Sequence, residues 1–77
     1  MQILSEQFKN RIRIQLNGQH FSCYEDTSIN ILLDYLDFES DQIILEYNSE
    51  ILCNKMFIET KLKEGDKLEI ITIVGGG

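Results

Sequence analysis

The sequence predicts an α+β domain in which a mixed sheet of four to five strands clasps one helix. Three observations carry that prediction. Two alternating runs flank Asn17-Gly18, a single apolar stripe at helical spacing follows them, and short apolar segments then lead to a final strand over 67–74. Seventy-seven residues allow one domain with one core. The 43% hydrophobic content is too high for a disordered chain, even at a net charge of −6.

Residues 1–10 show no clean periodicity and are set aside as an amino-terminal extension; the domain runs over 11–74. Arg11-Ile-Arg-Ile-Gln-Leu16 and Gln19-His-Phe-Ser-Cys-Tyr24 enclose Asn17-Gly18, the pair that a type I′ hairpin turn favours because both central residues need positive φ. A two-residue loop pairs Leu16 with Gln19, Ile14 with Phe21 and Ile12 with Cys23. Ile12, Ile14, Leu16, Phe21 and Cys23 then share a dry face, and Arg11, Arg13, Gln15, His20, Ser22 and Tyr24 a wet one.

The cover for the dry face comes next. Asp26 or Thr27 caps a helix, and Ile29, Leu32, Leu33 and Leu36 recur at i, i+3, i+4 and i+7. Asp34 and Asp37 point away, and the helix ends near Asp37–Ser40. Ile43 to Tyr47 reads as a third strand with Ile43 and Leu45 inward. Asn48-Ser49 turns the chain into a very short strand at Ile51-Leu52. A brief helical or 3₁₀ turn over 55–62 should dip Met56, Phe57 and Leu62 into the core, and Gly65-Asp66 turns the chain into the last strand. Leu68 and Ile70 of that strand complete the expected core.

Gly75, Gly76 and Gly77 follow. Glycine is costly to order and poor in strands, so three in succession add nothing to a fold. Either they are a frayed end or cloning scar, or they form a tail able to thread a narrow channel; composition alone leaves the two even.

Several function classes are disfavoured. Thirteen acidic against seven basic residues, the latter unclustered, argue against nucleic acid and for a partner with a basic docking surface. No apolar run has the length of a membrane span and no signal-peptide pattern opens the chain, so no membrane is expected. Cys23 and Cys53 are too few and too far apart for a metal site or a redox pair, and read as reduced thiols packed as small hydrophobes. His20 reads as a solvated strand residue. Asp34, Asp37, Glu39 and Asp41 read as a solvated helix end, and no serine shows a triad arrangement.

The chain resembles the thiamine-biosynthesis sulfur carriers, the ThiS group, which have a ubiquitin-like β-grasp fold. The matching pieces are Ile-x-Leu-Asn17-Gly18, Thr27-x-x-x-x-Leu-Leu-x-x-Leu36 and Leu45-Glu-Tyr-Asn48-x-x-Ile-Leu52, then Leu62-x-x-Gly-Asp-x-Leu-Glu-Ile70 and Ile73-Val-Gly-Gly-Gly77. The chain departs from the group at Cys53-Asn54, where Pro-Arg is frequent, and at Phe57, where Trp is. The resemblance implies a carrier, not an enzyme. No cofactor is bound; ATP is used by an adenylating, E1-like activating enzyme that acts on the Gly77 carboxylate. Sulfur from a persulfide donor converts it to a thiocarboxylate, and a thiazole synthase consumes it. Gly75 and Gly76 belong to the tail.

In a β-grasp sheet the third and last strands are neighbours, so Ile44, Ile71 and Ile73, with Val74, should form an apolar partner-binding patch leading to that tail. Two other readings use the same fold. A molybdopterin-synthase small subunit usually carries prolines, which this chain lacks. A ubiquitin-like modifier usually places arginines before its glycines, where Ile73-Val74 stands here. The expected compartment is the cytoplasm, or the plastid stroma for a plastid-encoded gene.

Overall fold

A computed structural model of the chain describes residues 10–73. Five strands, β1 (Arg11–Leu16), β2 (Gln19–Tyr24), β3 (Ile43–Tyr47), β4 (Glu50–Leu52) and β5 (Lys67–Thr72), form one sheet in the order β2-β1-β5-β3-β4. One helix, α1 (Ile29–Tyr35), crosses it. β5 lies in the middle, parallel to β1 and antiparallel to β3. This is the ubiquitin-like β-grasp topology.

The hairpin register is the expected one: Leu16 faces Gln19, Ile14 faces Phe21 and Ile12 faces Cys23. Asn17 and Gly18 hold φ of 51° and 83°, so the turn's handedness matches the strand twist. Asn48 and Ser49 repeat the device between β3 and β4, with φ of 52° and 76°.

The helix cap differs from expectation. Ser28 is the N-cap, and its hydroxyl accepts a hydrogen bond from the Ile31 amide at 3.2 Å. The Thr27 hydroxyl turns back to donate to the Tyr24 carbonyl at 2.7 Å, and Asp26 sits in a turn at φ 66°. The helix also stops earlier than predicted, at Tyr35. Asp37 adopts φ 65°, its amide donates to the Asp34 carbonyl, and the Phe38 amide donates to the Leu33 carbonyl at 2.9 Å. That is a Schellman ending, with Phe38 packed back on the core. A seven-residue helix is not stable alone, so packing holds it in place.

The core joins Ile12, Ile14, Ile43, Leu45, Leu68 and Ile70 of the sheet to Ile29, Leu32 and Leu33 of α1, with Phe57 and Leu62 closing one side. Each side chain so buried contributes about 1.5–3 kcal/mol. Three expected core residues are less enclosed. Leu36 and Phe21 are half-buried, because the helix ends at Tyr35 and β2 is an edge strand. Met56 is exposed, since the 3₁₀ turn at Asn54–Met56 directs Phe57 inward instead. Cys23 packs against the core, whereas Cys53 is exposed rather than packed.

The entry to β5 is fixed by a polar cluster. The buried Asp66 carboxylate accepts from the Tyr47 hydroxyl at 2.6 Å, the Lys63 amide at 2.8 Å and the Asn48 side-chain amide at 3.2 Å. Asn48 Oδ1 accepts in turn from the Lys67 amide at 2.8 Å. Burial, the hydrogen bond to the Asp66 carboxylate and that carboxylate's charge together push the Tyr47 phenol up to about 12.

Candidate functional site

Everything that could present a carboxyl-terminal tail is assembled around the exit of β5. Antiparallel pairing sets Ile44 directly opposite Ile71, and strand alternation turns both away from α1. They are 38% and 50% exposed, and Ile73 is 49% exposed. The three predicted patch residues therefore come together on the outer face, at the end of the strand that carries the tail. Ile51 of β4, facing Glu46 in register and also exposed, extends the apolar strip to the sheet edge. Sequence reading missed it because a three-residue strand has too little alternation to show parity. The fourth predicted patch residue, Val74, lies outside the described residues, as do Gly75, Gly76 and Gly77.

The opposite half of the outer face, on β1 and β2, carries exposed Arg11, Arg13, His20 and Ser22. Arg11 Nε donates to the Ser22 hydroxyl at 3.1 Å, and its guanidinium lies 5.1 Å from the centre of the Tyr24 ring. On β3 and β5, Glu46 and Glu69 are register partners, so two carboxylates stand side by side beside the isoleucines. The outer face is thus basic and polar at one side, apolar and acidic at the other.

Burial pushes the Cys23 thiol up, only partly countered by the positive charge of Arg11, which lowers its thiolate fraction and makes it a poor nucleophile. Among the described residues no group of three His, Cys, Asp or Glu side chains could hold a metal ion. No helix of the described residues is long and apolar enough to cross a membrane.

Two residues that sequence reading did not assign to the site also bear on it. The Asn17 side-chain amide meets both backbone groups of Ile70, and the Ile73 amide donates to the Gln42 carbonyl at 2.8 Å. Both contacts lie near the end of β5 among the described residues. Their partners are far off in sequence, so no local pattern reveals them.

Comparison with known proteins agrees with this architecture. The ThiS family model matches residues 14–77. The chain is 52% identical to the uncharacterized protein ycf40 of Porphyra purpurea over 66 residues, covering 86% of this chain and 93% of that protein. It is 37% identical to the sulfur carrier protein ThiS of Bacillus subtilis, covering 83% and 98%. A thiazole synthase of Paramagnetospirillum magneticum is 29% identical over 66 residues, which span 86% of this chain but 20% of that protein. Among solved structures, the thiamine biosynthesis protein ThiS of Geobacter metallireducens superposes with a TM-score of 0.74 at 28% identity, covering 86% of this chain and all of that one. The family match spans both the strand that exits the sheet and the glycines that follow it, and on that ground the chain belongs to the ThiS family of small sulfur carriers.

Proposed function

We propose that this carrier takes up sulfur on the carboxylate of Gly77 and delivers it to a thiazole synthase for the thiazole ring of thiamine. The observation that carries the reading is that the family match runs through Gly77 while β5, the central strand, ends at Thr72 beside an exposed apolar patch. A central strand braced by both neighbours is a firm base from which to offer a tail. Glycines without Cβ atoms let the backbone come close to a reacting centre.

The chemistry follows from the poor reactivity of a carboxylate. A Gly77 oxygen attacks the α-phosphate of ATP held by an E1-like activating enzyme, and pyrophosphate leaves. The terminal sulfur of a persulfide then attacks the acyl carbon and expels AMP, giving an acyl disulfide. A second thiol attacks the donor's own sulfur, the one distal to the carbonyl, so that the S–S bond breaks, a new disulfide forms on the donor and the Gly77 thiocarboxylate leaves. The carrier's own residues supply docking and presentation only. Ile44, Ile71, Ile73 and Val74 form the surface that both partners use, and Gly75 and Gly76 pass through the channel. The likeness of this chain to a short part of a thiazole synthase supports that enzyme class as the acceptor. The compartment is the one that holds these partners, cytoplasm or plastid stroma.

Intact mass spectrometry after incubation with the activating enzyme, ATP and a persulfide donor tests this. A carrier gains the mass of one oxygen exchanged for one sulfur, at Gly77. An isopeptide conjugate to a target lysine would make the chain a modifier instead, and no change in mass would end the sulfur reading.

A further inference from the structure

Asn17 does more than turn the hairpin. By the time the chain reaches it, β1 has run out: Leu16 opposite Leu68 is the last pair in the parallel register, closed by the Asn17 amide donating to the Leu68 carbonyl at 2.8 Å. The next backbone groups of β5 that face this flank belong to Ile70. The Asn17 side chain meets both. The Ile70 amide donates to Oδ1 at 2.6 Å, and Nδ2 donates to the Ile70 carbonyl at 3.2 Å. A primary amide carries the same donor and acceptor as a peptide unit. The side chain therefore stands in for a strand residue that β1 lacks.

The residue two further on, Thr72, also turns its backbone groups to this flank. The Ile73 amide reaches across to Gln42 on the other side, and alternation points Thr72 away from it. Among the described residues nothing on the β1 side meets Thr72, so Ile70 is the last residue of β5 fastened there. On the β3 side the fastening continues to Ile73.

We propose that Asn17 is a positioning residue for the charging reaction, holding the exit of β5 in line so that the tail enters the activating enzyme at one angle. The proposal rests on the sulfur-carrier reading. Without the amide, no described residue on the β1 side holds β5 beyond Leu68, and the strand can hinge about that residue. Whatever displaces Ile73 displaces the four residues attached to it. A reacting carboxylate tolerates little misplacement, so the loss falls on the rate of the bound complex. Most of the docking patch is spared, because Ile44 and Ile71 stay paired with each other.

Two variants separate this role from that of the turn. Asn17→Gly suits the positive φ of the turn but removes both bonds to Ile70. Asn17→Asp keeps an acceptor for the Ile70 amide and loses the donor to its carbonyl. Each full-length chain is charged with the activating enzyme, ATP and a persulfide donor, at a temperature where circular dichroism shows it folded. The expected kcat order is wild type, Asn17→Asp, Asn17→Gly, with the glycine variant down on the order of tenfold and KM for the carrier changed far less than kcat. Hydrogen exchange at the Ile70 amide should quicken in the same order. A folded Asn17→Gly variant charged at the wild-type kcat overturns the proposal, and so does a loss borne entirely by KM. If Asn17→Gly fails to fold, an Asn17→Asp variant with unaltered kcat overturns it equally. A wild-type control that takes up no sulfur removes the carrier reading and this proposal together, and is recognised because control and variants fail alike.

Discussion

At its start β5 is gripped on both flanks, with Gln15 donating to the Asp66 carbonyl on one side and Asn48 to the Lys67 carbonyl on the other. Asp66 adds its buried carboxylate with three donors, of which Tyr47 comes from β3 and Asn48 from the turn after it. At its end the strand keeps the β3 flank, while among the described residues the Asn17 side-chain amide is what holds the β1 flank. The entry is polar and buried, and the exit carries an exposed apolar face. A strand so built behaves as a lever fixed at one end. Stability is concentrated where the strand begins and presentation where it leaves the sheet. Substitutions at the two ends should therefore fail in opposite ways.

The largest effect belongs beyond the exit. Deleting Gly77 shortens the tail by about 3.5 Å, outside the tolerance of a reactive encounter. Sulfur uptake, followed by intact mass, should fall below detection while the thermal midpoint matches wild type. A deletion variant that still gains sulfur at its new terminus would remove Gly77 from the mechanism.

The entry should show the reverse. Asp66→Ala leaves the Tyr47 hydroxyl, the Lys63 amide and the Asn48 side chain without their acceptor, at a cost of about 2–4 kcal/mol. Urea unfolding measures that loss. Sulfur uptake per folded molecule should be unchanged, because the exit is untouched. Were kcat to fall as steeply as stability, the two ends would not be separable and the lever picture would fail.

Smaller again is the effect of a charge on the apolar half of the outer face. Ile71→Asp should weaken binding to the activating enzyme about tenfold, roughly 1.4 kcal/mol, with the fold intact since Ile71 is half exposed. His20→Asp on the polar half should leave affinity unaltered. Titration calorimetry of both variants against the enzyme distinguishes the halves, and equal losses would mean that charge alone, not the patch, governs docking.

How much of this was legible in the sequence depended on distance along the chain. The hairpin register, the α1 stripe and the parity of Ile44 and Ile71 all follow from a turn dipeptide or a short repeat, which act over a few residues. The cap was misread because Asp26, Thr27 and Ser28 are consecutive cappers, and only the backbone path shows which hydroxyl faces the open amides. Met56 and Phe57 could not be told apart within a 3₁₀ turn that has no repeat. The glycine tail was visible by composition. The bonds that hold β5 were not: Asn17 and Ile70 lie 53 residues apart, and Tyr47 and Asp66 lie 19 apart.

The smallest effect tests the entry by pH. The Tyr47 phenol is pushed up to about 12, first by burial and then by its hydrogen bond to the Asp66 carboxylate and that group's charge. The folded state thus holds the phenolic proton more tightly than the unfolded chain does. Below the ordinary phenol value of 10.0 both states are protonated and the stabilisation is fully present. As pH rises from there through about 12, the unfolded phenol ionises first, so stability drains away across that window. A variant that lacks the phenol isolates the contribution of Tyr47 from everything else that changes at alkaline pH. Tyr47→Phe keeps the ring in place and removes the titrating group. Urea midpoints taken at about pH 9 and again near pH 11.5 should drop further in wild type than in the variant. The difference should be modest, because Tyr47 is only half-buried and water screens its contact with Asp66. Parallel losses in the two proteins would mean that the phenol is no more tightly protonated in the fold than outside it. The contribution of the Asp66 carboxylate to the start of β5 would then come from its Lys63 and Asn48 bonds.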